Sequence, residues 1–190
     1  MTAIFKREIR SSFHGMIGYV LTAFMLAATA IYFVALNLGY GLTDFGYYTL
    51  DRTIFVLLLY IPVLTMRCFA EERRTRTDQL LLTSPVSIPA IVAGKFLAQL
   101  AVFCVPLTAA AVMPLILTAF GKVSLISAYA ALLGYILLGG ACLAVGTFIS
   151  CLTENQIVAY LASFVVLLIA YLMNGIKTMF TSGNILAFVV

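Results

Sequence analysis

The stretch GMIGYVLTAFMLAATAIYFVALNL, residues 15–38, runs for 24 residues without one Asp, Glu, Lys or Arg. As a helix it would be about 36 Å long, enough to cross a hydrocarbon core of roughly 30 Å. Lys6, Arg7 and Arg10 precede it, in the manner of a secretory signal. The apolar part of a signal is only about 7–15 residues, however, and further apolar runs follow this one. The stretch therefore reads as an uncleaved first span, and the chain as an all-α, polytopic helical membrane protein.

The rest of the 190 residues agrees. The chain is 64% hydrophobic and 9% charged, with a mean hydropathy of +1.13, where a soluble domain is nearer half apolar. The net charge of +4 is concentrated in clusters, as on the flanks of spans and unlike a nucleic-acid surface. Cys68, Cys104, Cys142 and Cys151 lie in or beside apolar runs without CxxC spacing. They read as packing residues, with neither zinc nor a disulfide framework implied.

Three more charge-free runs are long enough to cross: 96–121, which contains Pro106 and Pro114, then 123–153 and 155–176. The run 123–153 exceeds one crossing, so tilting, kinking or an interfacial part is expected. The run 53–66 has only 14 residues. It can cross if its helix begins near Tyr47, with Arg52 and Arg67 snorkelling to opposite sides, and Pro62 predicts a kink. Five crossings result, about five to six with the final run 178–190, which reads as a sixth helix missing or incomplete. Residues 1–190 form a single membrane domain. Three Lys/Arg before residue 15 and five in 67–95 oppose Arg52, Lys122 and Lys177, so the N-terminus is expected in the cytoplasm.

The segment MTAIFKREIRSSFHGM places Phe5, Ile9, Phe13 and Met16 on one helical face and Lys6, Arg7, Arg10 and His14 on the other, the pattern of an interfacial helix. His14 reads as a solvated residue of the basic face.

Much of the remaining charge lies in MRCFAEERRTRTDQLLLTSPVS, residues 66–87. Glu72–Arg76 and Arg74–Asp78 stand at helical i, i+4 spacing, each pair adding about 0.2–0.5 kcal/mol. Leu80, Leu81 and Leu82 point about 100° apart, so at least one must meet protein. Ser84-Pro85 breaks the helix, and Ser87 with Pro89 starts the next. This is either an ordinary solvated loop or a docking element for a cytoplasmic protein.

Residues 66–98, MRCFAEERRTRTDQLLLTSPVSIPAIVAGKFLA, resemble the signature of type 2 ABC exporter permeases. IFKREIRSSFHGMIGYV and DFGYYTLDRTIFVLLLYIPVLTMR resemble the same family, closest to the gliding-motility-type permeases. Arg76 and Gln79 stand where the family often carries Gly and Glu. The resemblance implies that 70–88 is a cytoplasmic coupling element seated on an ATPase subunit, with Glu71, Glu72, Arg73, Arg74, Asp78, Leu80, Leu81 and Leu82 making the coupling. It implies that 1–15 is the amphipathic connecting helix, and that Gly94 and Lys95 begin the third span at the inner surface. Second and fifth spans of two such subunits, as homodimer or heterodimer, would line a conduit, with Tyr60, Thr65, Ser163 and Asn174 as candidate lining residues. The implied location is the bacterial plasma (inner) membrane.

The chain carries no phosphate loop, since AGKF at 93–96 and FGKV at 120–123 lack both the earlier glycine and the hydroxyl. ATP and Mg would thus be bound by a partner ATPase subunit, and no cofactor is expected here. No HExxH, GxSxG or carboxylate pair lies in a span, which opposes a membrane enzyme. No charge is expected deep in a span, which opposes a proton-coupled carrier. Glu154 reads as a boundary residue, and by the resemblance as part of a second cytoplasmic turn. Gly134, Gly139, Gly140, Ala144 and Gly146 give the fourth span a small face, either a subunit interface or packing within one subunit. Tyr40, Phe45, Tyr47 and Tyr48 read as an interfacial belt, with a substrate gate as the alternative. The function expected is a membrane-spanning exporter permease driven by ATP hydrolysed elsewhere. The alternative is a membrane anchor that recruits a cytoplasmic ATPase for motility or envelope assembly.

Overall fold

The computed structural model describes residues 2–14, 16–68, 88–120 and 123–181. Helix α1 covers Thr2–His14. Helix α2 covers Met16–Tyr32 and continues through the wide π-helical turn Phe33–Leu38. A second such turn, Gly46–Leu50, opens helix α3 at Asp51–Thr65. Helix α4 is Ile88–Ala110, α5 Met113–Thr118, α6 Leu125–Leu152 and α7 Gln156–Thr181. No strand occurs among the described residues.

Five segments are long and apolar enough to cross a membrane: Gly18–Leu38, Gly46–Thr65, Pro89–Thr118, Leu125–Leu152 and Gln156–Met173. Their side chains are sorted as a bilayer requires. Large apolar residues such as Val20, Ile31, Leu133, Leu137, Phe148, Ile157 and Ile169 are exposed, whereas Thr22, Thr29, Thr53, Thr65 and Ser163 are buried. Without water, an inward hydroxyl must find an acceptor nearby. Thr29, Thr53 and Thr65 donate back to the carbonyls of Met25, Thr49 and Ile61, at 2.8, 2.7 and 3.1 Å. The chain is a multi-pass membrane protein.

Helix α3 is the hub, packing on α2, α6 and α7, while α1 lies against α2 and α4. Its span begins at Gly46, one residue before the expected start, and Arg52 is exposed. An aromatic file crosses the core, with Tyr60 of α3 6.0 Å from Phe103 of α4, and Phe103 6.2 Å from Tyr135 of α6. Gly139 is what lets α6 reach this file, because a Cβ there would stand 2.3 Å from the Phe103 ring. Gly146 likewise lies under Thr65. At these two positions the small face serves packing within the chain, whereas Gly134 faces open space.

Three expectations change. The run 96–121 is not one helix: α4 ends at Ala110 and α5 restarts at Met113 with Pro114 in its first turn, since proline cannot continue the preceding hydrogen-bond ladder. Pro106 remains inside α4. The third span also begins at Pro89, ahead of the expected start at Gly94 and Lys95, so Lys95 lies inside it. Phe45 is no part of an aromatic belt: it is 1% exposed and packs edge-on to Phe33 at 6.1 Å, while Tyr40 and Tyr47 are exposed.

Candidate coupling site

The chain leaves the described structure at Cys68, just past α3, and re-enters it at Ile88, the first residue of α4. Glu71, Glu72, Arg73, Arg74, Asp78, Leu80, Leu81 and Leu82 fall between these points and lie outside the described residues. The root of that segment is well defined.

Lys95 organises it. Seven residues into α4, it is about 10 Å from the helix start, and its side chain is 1% exposed. A buried ammonium is costly unless it is paired and hydrogen-bonded. Nζ donates to the carbonyl oxygen of Cys68 at 2.9 Å and to Glu8 Oε1 at 3.2 Å. The first contact meets an end of α3 where carbonyls lack helical partners and the helix dipole is negative. The second reaches across to α1, where Glu8 is 24% exposed. One cation thereby joins α1, α3 and α4. Gly94, beside it, is buried.

A cavity of about 110 Å³ opens at this junction, lined among others by Glu8, Ser11, Arg67, Cys68, Lys95 and Gln99. Gln99 is 8% exposed and its Oε1 accepts no hydrogen bond from the described residues. The tight corner between α1 and α2 depends on Gly18, since a Cβ there would stand 2.3 Å from the Ser12 carbonyl oxygen. Phe13 and Tyr19 close the same corner edge to face, 5.5 Å apart.

Of the conduit candidates, Thr65 adjoins this junction, its carbonyl accepting the Cys68 backbone N–H at 3.0 Å. Tyr60, Thr65 and Ser163 are buried within this chain, at 1%, 0% and 1% exposure. Thr65 bonds its own helix, whereas the hydroxyls of Tyr60 and Ser163 have no partner among the described residues. Asn174 lies on α7, and its side chain lies outside the described residues. Cys68 is buried and the other three cysteines are half-buried. Among the described residues no three His, Cys, Asp or Glu side chains gather as metal ligands.

Glu8 was not singled out by its sequence context, because a lone acid in a basic tail looks like local neutralisation. The available signal was its position: i−4 to Ser12 and i+3 to Phe5, it borders the apolar face. Lys95 was visible only as a boundary marker.

Among known proteins, the family described as ABC-2 family transporter protein matches residues 25–189. No curated protein and no solved structure matches the chain.

Proposed function

The chain belongs to the ABC-2 transporter family, and we propose that it is the permease of an ATP-driven exporter, closest to the gliding-motility-type permeases. Membership makes it the permease component, served by a cytoplasmic ABC ATPase. We assign the segment 70–88 to seating that ATPase, with Leu80, Leu81 and Leu82 at the contact and Glu71, Glu72, Arg73, Arg74 and Asp78 around it. ATP and Mg would be held by the ATPase. Two permease chains, identical or different, would complete the transporter in a bacterial inner membrane, with the N-terminus in the cytoplasm.

The observation that carries this reading is the Lys95 clasp. A force applied to the loop enters the bundle at Cys68 and Ile88. The clasp ties the first of these points to α1 and α4 at once, so the loop root moves as a unit with the connecting helix. The third span and α3, the hub of the core, would then tilt together.

The anchor reading uses the same loop and clasp without a conduit. The burial of Tyr60, Thr65 and Ser163 inside one chain favours it. In the exporter reading these residues become lining only when the bundle opens.

The docking half is tested by purifying the tagged chain in mild detergent, wild type beside Leu81→Asp, and assaying the eluate for ATP hydrolysis. A hydrolysing partner that accompanies the wild type and is lost from a membrane-inserted Leu81→Asp supports it. Equal recovery in both removes the leucines from the contact.

A further inference from the structure

Helix α1 carries a basic face that the coupling reading does not use. Lys6, Arg7, Arg10 and His14 are all exposed, and with Ser11 they line one open groove of about 560 Å³. Lys6, Arg10 and His14 follow at i+4 intervals, with Arg7 and Ser11 alongside, so the groove is a continuous stripe. Like charges at i, i+4 destabilise a helix in water, so helical stability does not account for this arrangement. An anion laid along the stripe would.

The single acid of the helix does not interrupt it. Glu8 turns the other way, and its ion pair with Lys95 is the one ion pair of α1 among the described residues. The buried lysine therefore withdraws the only negative charge from the outer face, which is left purely basic. The helix is also placed at lipid level. Its inner side rests on α2 and α4. Helix α2, which carries the first span, starts directly after it with Met16, Tyr19 and Val20 exposed at 83%, 62% and 60%. Apolar residues that open belong among acyl chains, so the basic stripe, which precedes Met16 by roughly two to three turns of helix, meets the headgroup layer.

We propose that the outer face of α1 is a binding surface for anionic phospholipid headgroups, contacted by Lys6, Arg7 and Arg10. The attraction of three such charges to an anionic surface corresponds to a preference on the order of 10²-fold over a neutral one. Because the same helix is clasped to the loop root, lipid composition would bias the position of the coupling element.

The test titrates the full-length chain, in nonionic detergent, with phosphatidylglycerol and separately with phosphatidylcholine, counting bound lipid by native mass spectrometry. The wild type is expected to prefer phosphatidylglycerol by about two orders of magnitude. The preference should collapse to a few-fold in K6Q/R7Q/R10Q. The unmodified protein should lose it in about 0.5 M NaCl, where charges more than roughly 4 Å apart are screened; this arm needs no variant to fold. Hydrogen exchange on the same samples should slow in residues 2–14 only with phosphatidylglycerol. Equal affinity for the two lipids, or a preference that survives both the substitutions and the salt, overturns the proposal. So does protection of α1 that arises only when the ATPase is added, which would give the stripe to a protein surface.

Discussion

Gly139 and Gly134 lie five residues apart on α6, yet a methyl group has opposite consequences at the two positions. At Gly139 it would stand 2.3 Å from the Phe103 ring. That ring cannot yield, because it is fully buried between Tyr60 and Tyr135. Overpacking of this kind costs about 1–3 kcal/mol, so Gly139→Ala should lower the thermal midpoint in detergent. At Gly134 nothing lies within 4 Å, and Gly134→Ala should leave the midpoint unchanged or raise it, alanine being the better helix former by about 1 kcal/mol. Equal effects would mean that the α4–α6 contact is looser than described. At this scale the sequence was only half legible. The run of small residues announced a close approach, but a glycine carries no mark of what it approaches, and the partner in Phe103 lies 36 residues away.

Among elements, two polar ties hold opposite ends of the bundle. Asn37, buried in the wide turn that ends the first span, donates from Nδ2 to the Leu42 carbonyl at 2.7 Å and accepts from the Thr49 hydroxyl. That fixes the hairpin between α2 and α3 at one end, and the Lys95 clasp fixes α1, α3 and α4 at the other. If Lys95 and Glu8 are truly paired, their effects on stability must not add. Lys95→Met and Glu8→Gln should each destabilise. The double substitution should cost less than the sum, leaving an interaction term of about 0.5–3 kcal/mol, read from unfolding in detergent. Additivity within about 0.5 kcal/mol would show that the two side chains do not cooperate. Element type was plain from the apolar runs, because length and lack of charge are strong signals. Element boundaries were not. A lysine ends a charge-free run and so marks Lys95 as the edge of the third span, whereas a lysine with a carbonyl and a carboxylate within reach is kept inside the helix. The wide turns at Phe33–Leu38 and Gly46–Leu50 left no periodicity to read, since one extra residue per turn is invisible in a run that is apolar all round.

At the scale of the whole molecule, the order of spans puts α1, the segment ends at Cys68 and Ile88 and the turn at Thr153–Asn155 at one end of the bundle. The hairpin 39–45 and residues 123–128 meet at the other, where they share a cavity. The segment proposed for coupling is thus rooted at one pole, and the hydroxyls of Tyr60 and Ser163 are buried within the chain. That the poles differ in charge was legible in the sequence, because the charges that survive in a greasy chain gather where water is. What the sequence could not tell is whether Tyr60 and Ser163 face a path or a packed interior, since inward-facing hydroxyls look alike in both. The exporter and anchor readings part at this point. The deciding measurement is the rate at which a membrane-impermeant thiol reagent modifies Ser163→Cys, in a chain whose four native cysteines are replaced and whose ATPase partner is present. Position 163 is 1% exposed in this structure, so modification should be slow at rest. The exporter account predicts severalfold faster modification once ATP and vanadate trap the complex. An unchanged slow rate, with the ATPase bound and hydrolysing, would contradict it and leave the chain as an anchor.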